Sequence, residues 1–164
     1  MRVCDAAWND PLDGGHSQRS GGRWNAPGSF PCVYLFAGRD GARAYVQSKY
    51  AGLPYGLELL RDESAPQLAE VEVPDQQYAD AWSERGLAAL KLPVTYPDDG
   101  SGRLVSWRAC RPIGQALVDE GLPGVSCRSA TSLTAGRLRE LCFFSAQSPV
   151  RLRLTARRAF SDWY

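Results

Sequence analysis

The sequence predicts a single α+β domain over residues 1–164. Three observations predict it. Short β-prone runs and helix-like stretches are loosely interspersed, without the regular spacing of a parallel, doubly wound sheet. A chain of 164 residues, 44% hydrophobic and 23% charged, is long and apolar enough to bury a core without disulfides or metals as staples. No internal repeat, long linker or low-complexity tail breaks the pattern.

The elements follow in chain order. Residues Asn9 to Ser29 are rich in Gly, Pro, Ser, Asp and Asn and read as a long loop. Loops of that length are functional or disordered. Trp24 and Phe30 anchor this one, which points to an ordered, functional loop. Cys32 to Phe36 is a short apolar strand. Asp40 is placed to cap a helix through Ala42, Ala44, Tyr45, Val46 and Lys49, ended by Gly52 and Pro54. Leu68 to Val73 alternates apolar and charged residues, the mark of a half-buried strand, and Pro74 stops it. A helix is expected from Ala79 to Leu90, closed by Pro93 and Pro97. Asp98-Asp99-Gly100 reads as a turn. Pro112 is suited to the first turn of a helix with Ile113, Ala116 and Leu117 on one face, closed by Gly121. Val125 to Arg128, Leu141 to Phe144 and Arg151 to Leu154 are the remaining strands. Trp163 and Tyr164 are expected to pack on the core.

Charge and cysteine usage narrow the functional classes. The net charge is +1, so no strong field draws the chain to nucleic acid or an anionic membrane. Only Lys49 and Lys91 are lysines; the other basic residues are arginines. Arginine suits bidentate capture of phosphate, although a GC-rich coding sequence produces the same bias. The five cysteines are odd in number and form no CxxC pair, against both a disulfide framework and a zinc site. Cys32, Cys127 and Cys142 lie in apolar runs and read as buried, reduced thiols. The N-terminal residues lack the apolar stretch of a signal peptide. No run of about 18 apolar residues is present to cross a membrane. These features together favour the cytoplasm.

Two segments carry candidate chemistry. In Gly21-Gly22-Arg23-Trp24-Asn25-Ala26-Pro27-Gly28 the glycines allow close backbone approach. Arg23 offers a fork that matches the oxygens of a diphosphate, and Asn25 is suited to hold the loop. A Gly-rich turn with Arg23 solvated and Trp24 in the core fits the same letters. In Gly121-Leu122-Pro123-Gly124-Val125-Ser126-Cys127-Arg128-Ser129-Ala130 a strand runs into small hydroxyl residues. Ser129 can donate to a phosphate or ribose oxygen, or cap a strand end. It has no paired base, because His16 is the one histidine and no GxSxG elbow exists. His16 sits in the Gly-rich loop, near the cleft or solvated. Arg151, Arg153, Arg157 and Arg158 form a basic stretch, either a surface for an acidic partner or a guarded strand edge.

Taken together, GGRWNAPG, the following Val33-Tyr34-Leu35, a helix, and later GVSCRSA with Leu141-Cys142-Phe143-Phe144 resemble the RES domain, named for Arg, Glu and Ser positions. The resemblance runs from Arg2 to about Phe144. It implies an ADP-ribosyltransferase-like fold and a toxin that degrades NAD⁺ by hydrolysis or phosphorolysis, or ADP-ribosylates a protein. It also implies an Xre-like helix-turn-helix antitoxin as partner. NAD⁺ is then the substrate, inorganic phosphate a candidate co-substrate, and no metal is required. By position, Arg23 matches the Arg that holds the NAD⁺ phosphates, and Tyr34 the Tyr that stacks on or packs beside nicotinamide. Ser129 matches the family Ser, and Arg2 an early Arg in the first strand. Gly22, Trp24 and Asn25 would line the NAD⁺ site beside them.

The family Glu is missing. Its position on the helix after the strand is Tyr45, with Gln47 close by, and no acid lies between Asp40 and Glu58. Glycosidic cleavage passes through an oxocarbenium-like state that a carboxylate stabilises. Tyr45 carries no such charge, and Glu58, Asp62 and Glu63 are the next acids along the chain. The expectation is an NAD⁺-cleaving enzyme with Arg23, Tyr34, Tyr45 and Ser129 in the catalytic cleft. The alternatives are transfer of ADP-ribose to a protein or nucleotide, or a degenerate fold that binds a nucleotide or partner without turnover.

Overall fold

The computed structural model describes residues 1–54, 56–132, 137–146 and 151–164, in two sheets with flanking helices. Strand β1 (Arg2–Cys4) opens the chain, followed by helix α1 (Gly15–Ser20), strand β2 (Cys32–Phe36) and helix α2 (Arg39–Tyr50). Strands β3 (Gln67–Glu72) and β4 (Ala79–Ala81) precede helices α3 (Glu84–Ala89) and α4 (Trp107–Asp119). Strands β5 (Gly124–Arg128), β6 (Arg139–Phe144) and β7 (Arg153–Arg158) lead into the short helix α5 (Phe160–Trp163). One sheet has the antiparallel order β1–β3–β7. The other has the order β2–β6–β5–β4, antiparallel except for the parallel pair β4–β5.

The α+β class expected from the sequence is the class observed. Alternation in β2 turns Cys32, Tyr34 and Phe36 to one face and Val33 and Leu35 to the other. On the first face Cys32, Val125, Cys127, Cys142 and Phe144 pack against α4 and against Trp24, Phe30 and Tyr96. At the Phe36 end, α2 covers the face with Ala42 and Val46. Val33, Leu35 and Phe143 form a separate cluster with Val71, Val73 and Leu152. All five cysteines are free and buried. Among the described residues no helix is long and apolar enough to cross a membrane.

Several expected elements differ, each for a local reason. The 9–29 segment is not all loop: it holds α1, whose start is met by Asp13 Oδ1 accepting from Gly15 N at 2.8 Å. Asp40 lies in the first turn of α2 and does not cap it; Gly38 occupies the cap position. The expected helix from Ala79 begins as strand β4, parallel to β5, and Ser83 caps α3 by accepting from Gly86 N. Asp80 takes part in that turn by accepting from Trp82 N and Ser83 N. Helix α4 starts at Trp107 rather than at Pro112, because the Ser106 hydroxyl caps it and leaves Pro112 inside. The last strand begins at Arg153, where it pairs with Glu72 of β3. Trp163 is buried as expected and donates its indole N–H to Pro66 O at 3.3 Å.

Candidate active site

Arg23 lies in a loop that the surrounding side chains hold in one shape. Gly21, at φ 72°, turns the chain out of α1. Asn25 is fully buried and donates to Ser17 O at 2.8 Å and Phe30 O at 3.0 Å. Its Oδ1 accepts from the Tyr34 hydroxyl, which itself accepts from Trp24 N, both at 3.1 Å. A Cβ on Gly22 would stand 2.3 Å from that Tyr34 hydroxyl, so the approach requires glycine. From α4, Arg111 Nε donates to Gly22 O at 3.0 Å. Gly114 of the same helix lies so close to Trp24 that a Cβ there would meet its carbonyl oxygen at 1.8 Å.

Held this way, half-buried Arg23 donates Nη1 to Val105 O at 2.6 Å, just ahead of α4. Its charge also acts on Tyr96, Cys110 and Glu140. Tyr96 packs its ring at 6.2 Å from Trp24. Its buried hydroxyl faces the Cys110 thiol and meets no oxygen or nitrogen partner among the described residues. Arg128 fixes this segment to β5 by donating to Trp82 O, Val94 O and Tyr96 O at 2.9, 2.8 and 3.1 Å. A cavity of about 520 Å³ opens beside Val105 at the start of α4, walled also by Lys91, Leu92, Arg103 and Ile113.

Ser129 directly follows β5 and is fully buried. Its hydroxyl donates to Glu140 Oε1, and the Thr131 hydroxyl donates to the same oxygen at 3.2 Å. Glu140 is the residue that the sequence pattern missed. Register places it between Phe36 of β2 and Cys127 of β5. Tyr45 packs its ring on Phe36 at 5.7 Å and feels the Glu140 charge. Burial raises the Glu140 carboxyl above its ordinary value, against the Ser129 and Thr131 hydroxyls and the Arg23 charge, which pull it down. The available signal was phase: Glu140, Cys142 and Phe144 share one face of β6, and a carboxylate in step with buried residues is costly unless used.

The structure brings Arg23, Tyr45 and Ser129 around Glu140 and places the other expected residues in support. Trp24 and Asn25 are buried within the loop, and the Tyr34 hydroxyl is engaged with both of them. Arg2 is also buried; it donates to Pro11 O and Asp13 O, lies over Trp8, and its charge acts on Tyr45. Asp62 does not fold back to the cleft: it accepts from Ser161 N and Oγ at 2.9 and 2.7 Å at the start of α5. Glu58 and Glu63 are exposed. His16 is exposed beside Trp8. Among the described residues no cluster of His, Cys, Asp and Glu is arranged to hold a metal.

The RES domain family model matches residues 1–161. The chain belongs to the RES domain family. This RES chain is also similar to a solved chain from the M. tuberculosis MbcT-MbcA toxin-antitoxin complex, with 25% identity and a TM-score of 0.77. The likeness covers 97% of the RES chain and 81% of the M. tuberculosis chain. A search of curated proteins finds no match.

Proposed function

We propose that this RES protein is a cytoplasmic toxin that cleaves the nicotinamide–ribose bond of NAD⁺, with water or inorganic phosphate as acceptor. The observation that carries the reading is Arg23, held by Val105 O with its charge acting on the half-buried carboxylate that Ser129 bonds, within a RES domain. Arg23 binds the diphosphate through its fork. Ser129 orients the ribose side of the site, and Tyr45 packs at its rim. Gly22, Trp24, Asn25 and Tyr34 keep the Arg23 loop in shape, and Arg2 holds the 11–13 turn. The similarity to a chain of a toxin-antitoxin complex supports an antitoxin as partner, and the partner we propose is a helix-turn-helix protein of the Xre type.

The test is NAD⁺ concentration over time with purified protein, with and without phosphate. Loss in both conditions identifies hydrolysis, and loss only with phosphate identifies phosphorolysis. Label passing from NAD⁺ to a macromolecule would replace this reading with ADP-ribosyl transfer. Binding without any loss would replace it with a nucleotide-binding module. Arg23→Ala is expected to lower turnover by roughly 100-fold or more, in the range for removing one aimed electrostatic contact. Unchanged turnover would remove Arg23 from the mechanism.

A further inference from the structure

The position where the family pattern carries an acid on α2 holds Tyr45, yet the charge of a half-buried carboxylate, Glu140, acts on that position. Glu140 reaches it from a different element, the second strand of the four-stranded sheet. The pairing Phe36–Glu140–Cys127 puts its side chain on the face covered by α2 and by the Tyr96 segment. The groups that act on it come from every side: Arg23 from the loop, Tyr45 from α2, Tyr96 from the segment before α4, and Cys127 from β5. Burial raises the pKa of Tyr45, Tyr96 and Cys127, so these three are neutral at neutral pH. Arg23 is then the one charge among these groups to balance Glu140. The hydroxyls of Ser129 and Thr131 both settle on Oε1 and fix the carboxylate plane.

We propose that Glu140 is the catalytic carboxylate of this protein, relocated from α2 to β6, and that Ser129 and Thr131 are its positioning residues. The proposal rests on the NAD⁺-cleaving reading. As the C1′–N bond breaks, its electron pair goes to the nicotinamide nitrogen and neutralises the pyridinium. Positive charge then lies on C1′ and the ring oxygen, and the Glu140 carboxylate stabilises it. In hydrolysis, a water oxygen bonds to C1′ and its proton passes to Glu140 and on to solvent, leaving ADP-ribose, nicotinamide and one proton. A carboxyl whose burial raises its pKa is suited to accept that proton. Ionised Glu140 is the active form, so the rate rises with pH through an acid limb above the ordinary range of glutamate.

The experiment measures kcat, NAD⁺ affinity by calorimetry and the pH profile for wild type, Glu140→Gln, Glu140→Asp and the double variant Tyr45→Glu with Glu140→Gln. The expected result is a loss of roughly 10²–10⁴ in kcat for Glu140→Gln with NAD⁺ affinity kept. Glu140→Asp retains part of the rate with its acid limb moved. The double variant regains turnover, because the acid returns to the place it has in the family. Full activity in Glu140→Gln overturns the proposal and leaves the function standing. If that variant fails to fold, the wild-type profile decides: no acid limb above the ordinary glutamate range overturns the proposal. A wild type that consumes no NAD⁺ overturns the function, and the proposal with it.

Discussion

Glu140 is held in the fold at a cost that its own titration reveals. Burial disfavours the charged form of the carboxyl, so its folded pKa stands above its unfolded value. Its contribution to stability is full below the unfolded value of about 4.3 and is lost as pH rises through the raised folded value. At neutral pH the ionised carboxylate therefore works against folding, and the Ser129 and Thr131 hydroxyls offset part of the penalty. Glutamine keeps the shape and can accept from both hydroxyls without the charge. Glu140→Gln is expected to melt higher than wild type at pH 7, by about 2–4 °C for each kcal/mol recovered. The difference should close as pH falls to about 4. Melting curves at the two pH values check this. A variant less stable than wild type at pH 7 would mean that the hydroxyl bonds to the charged form outweigh its burial. A gain in stability beside a loss of activity is the pattern of a functional group placed where the fold alone would not put it.

At the scale of elements, α4 is the brace on which the Arg23 loop depends. Ser106 caps it, Arg111 reaches Gly22 O, and Gly114 lets the helix backbone close on Trp24. A methyl group at Gly114 meets a backbone carbonyl, which cannot rotate away as a flexible side chain can. Gly114→Ala is therefore expected to destabilise by about 1–3 kcal/mol despite the better helix propensity of alanine. Denaturant unfolding checks the direction: a variant as stable as wild type would show that helix and loop are not in rigid contact. Because the same shift moves Arg23, the variant should also weaken NAD⁺ binding. The sequence showed the helical stretch here but misread its start. Proline at a first turn is a strong local signal, and the Ser106 cap six residues earlier outweighed it. The three-residue strand β4 was hidden for the opposite reason. It is too short to show a period, and it exists through its pairing with β5.

At the scale of the whole molecule, what was legible in the sequence was local and what was hidden was long-range. Strands β2, β3, β5 and β6 showed their period of two or their apolar runs, and the Gly-Gly-Arg-Trp-Asn segment showed its turn chemistry and its resemblance. The position of Glu140 depends on register with β2, about a hundred residues earlier, and with β5, so its phase with Cys142 and Phe144 gave its face but not its neighbours. The cysteines combine both kinds of information: apolar runs marked three of them, and the two-sheet packing buries all five as free thiols. Burial raises the pKa of Cys4, Cys110, Cys127 and Cys142, which lowers the fraction of reactive thiolate. An aromatic disulfide reagent at neutral pH is thus expected to label the native protein only as fast as the structure opens. In denaturant it should count five thiols, with or without prior reduction. Cys4 should react first, because β1 is a three-residue strand at the edge of its sheet, where local opening costs least. Fast native labelling of Cys127 or Cys142 would show that the sheet face under Glu140 opens without global unfolding, and the cleft would then be far less rigid than its hydrogen bonds indicate.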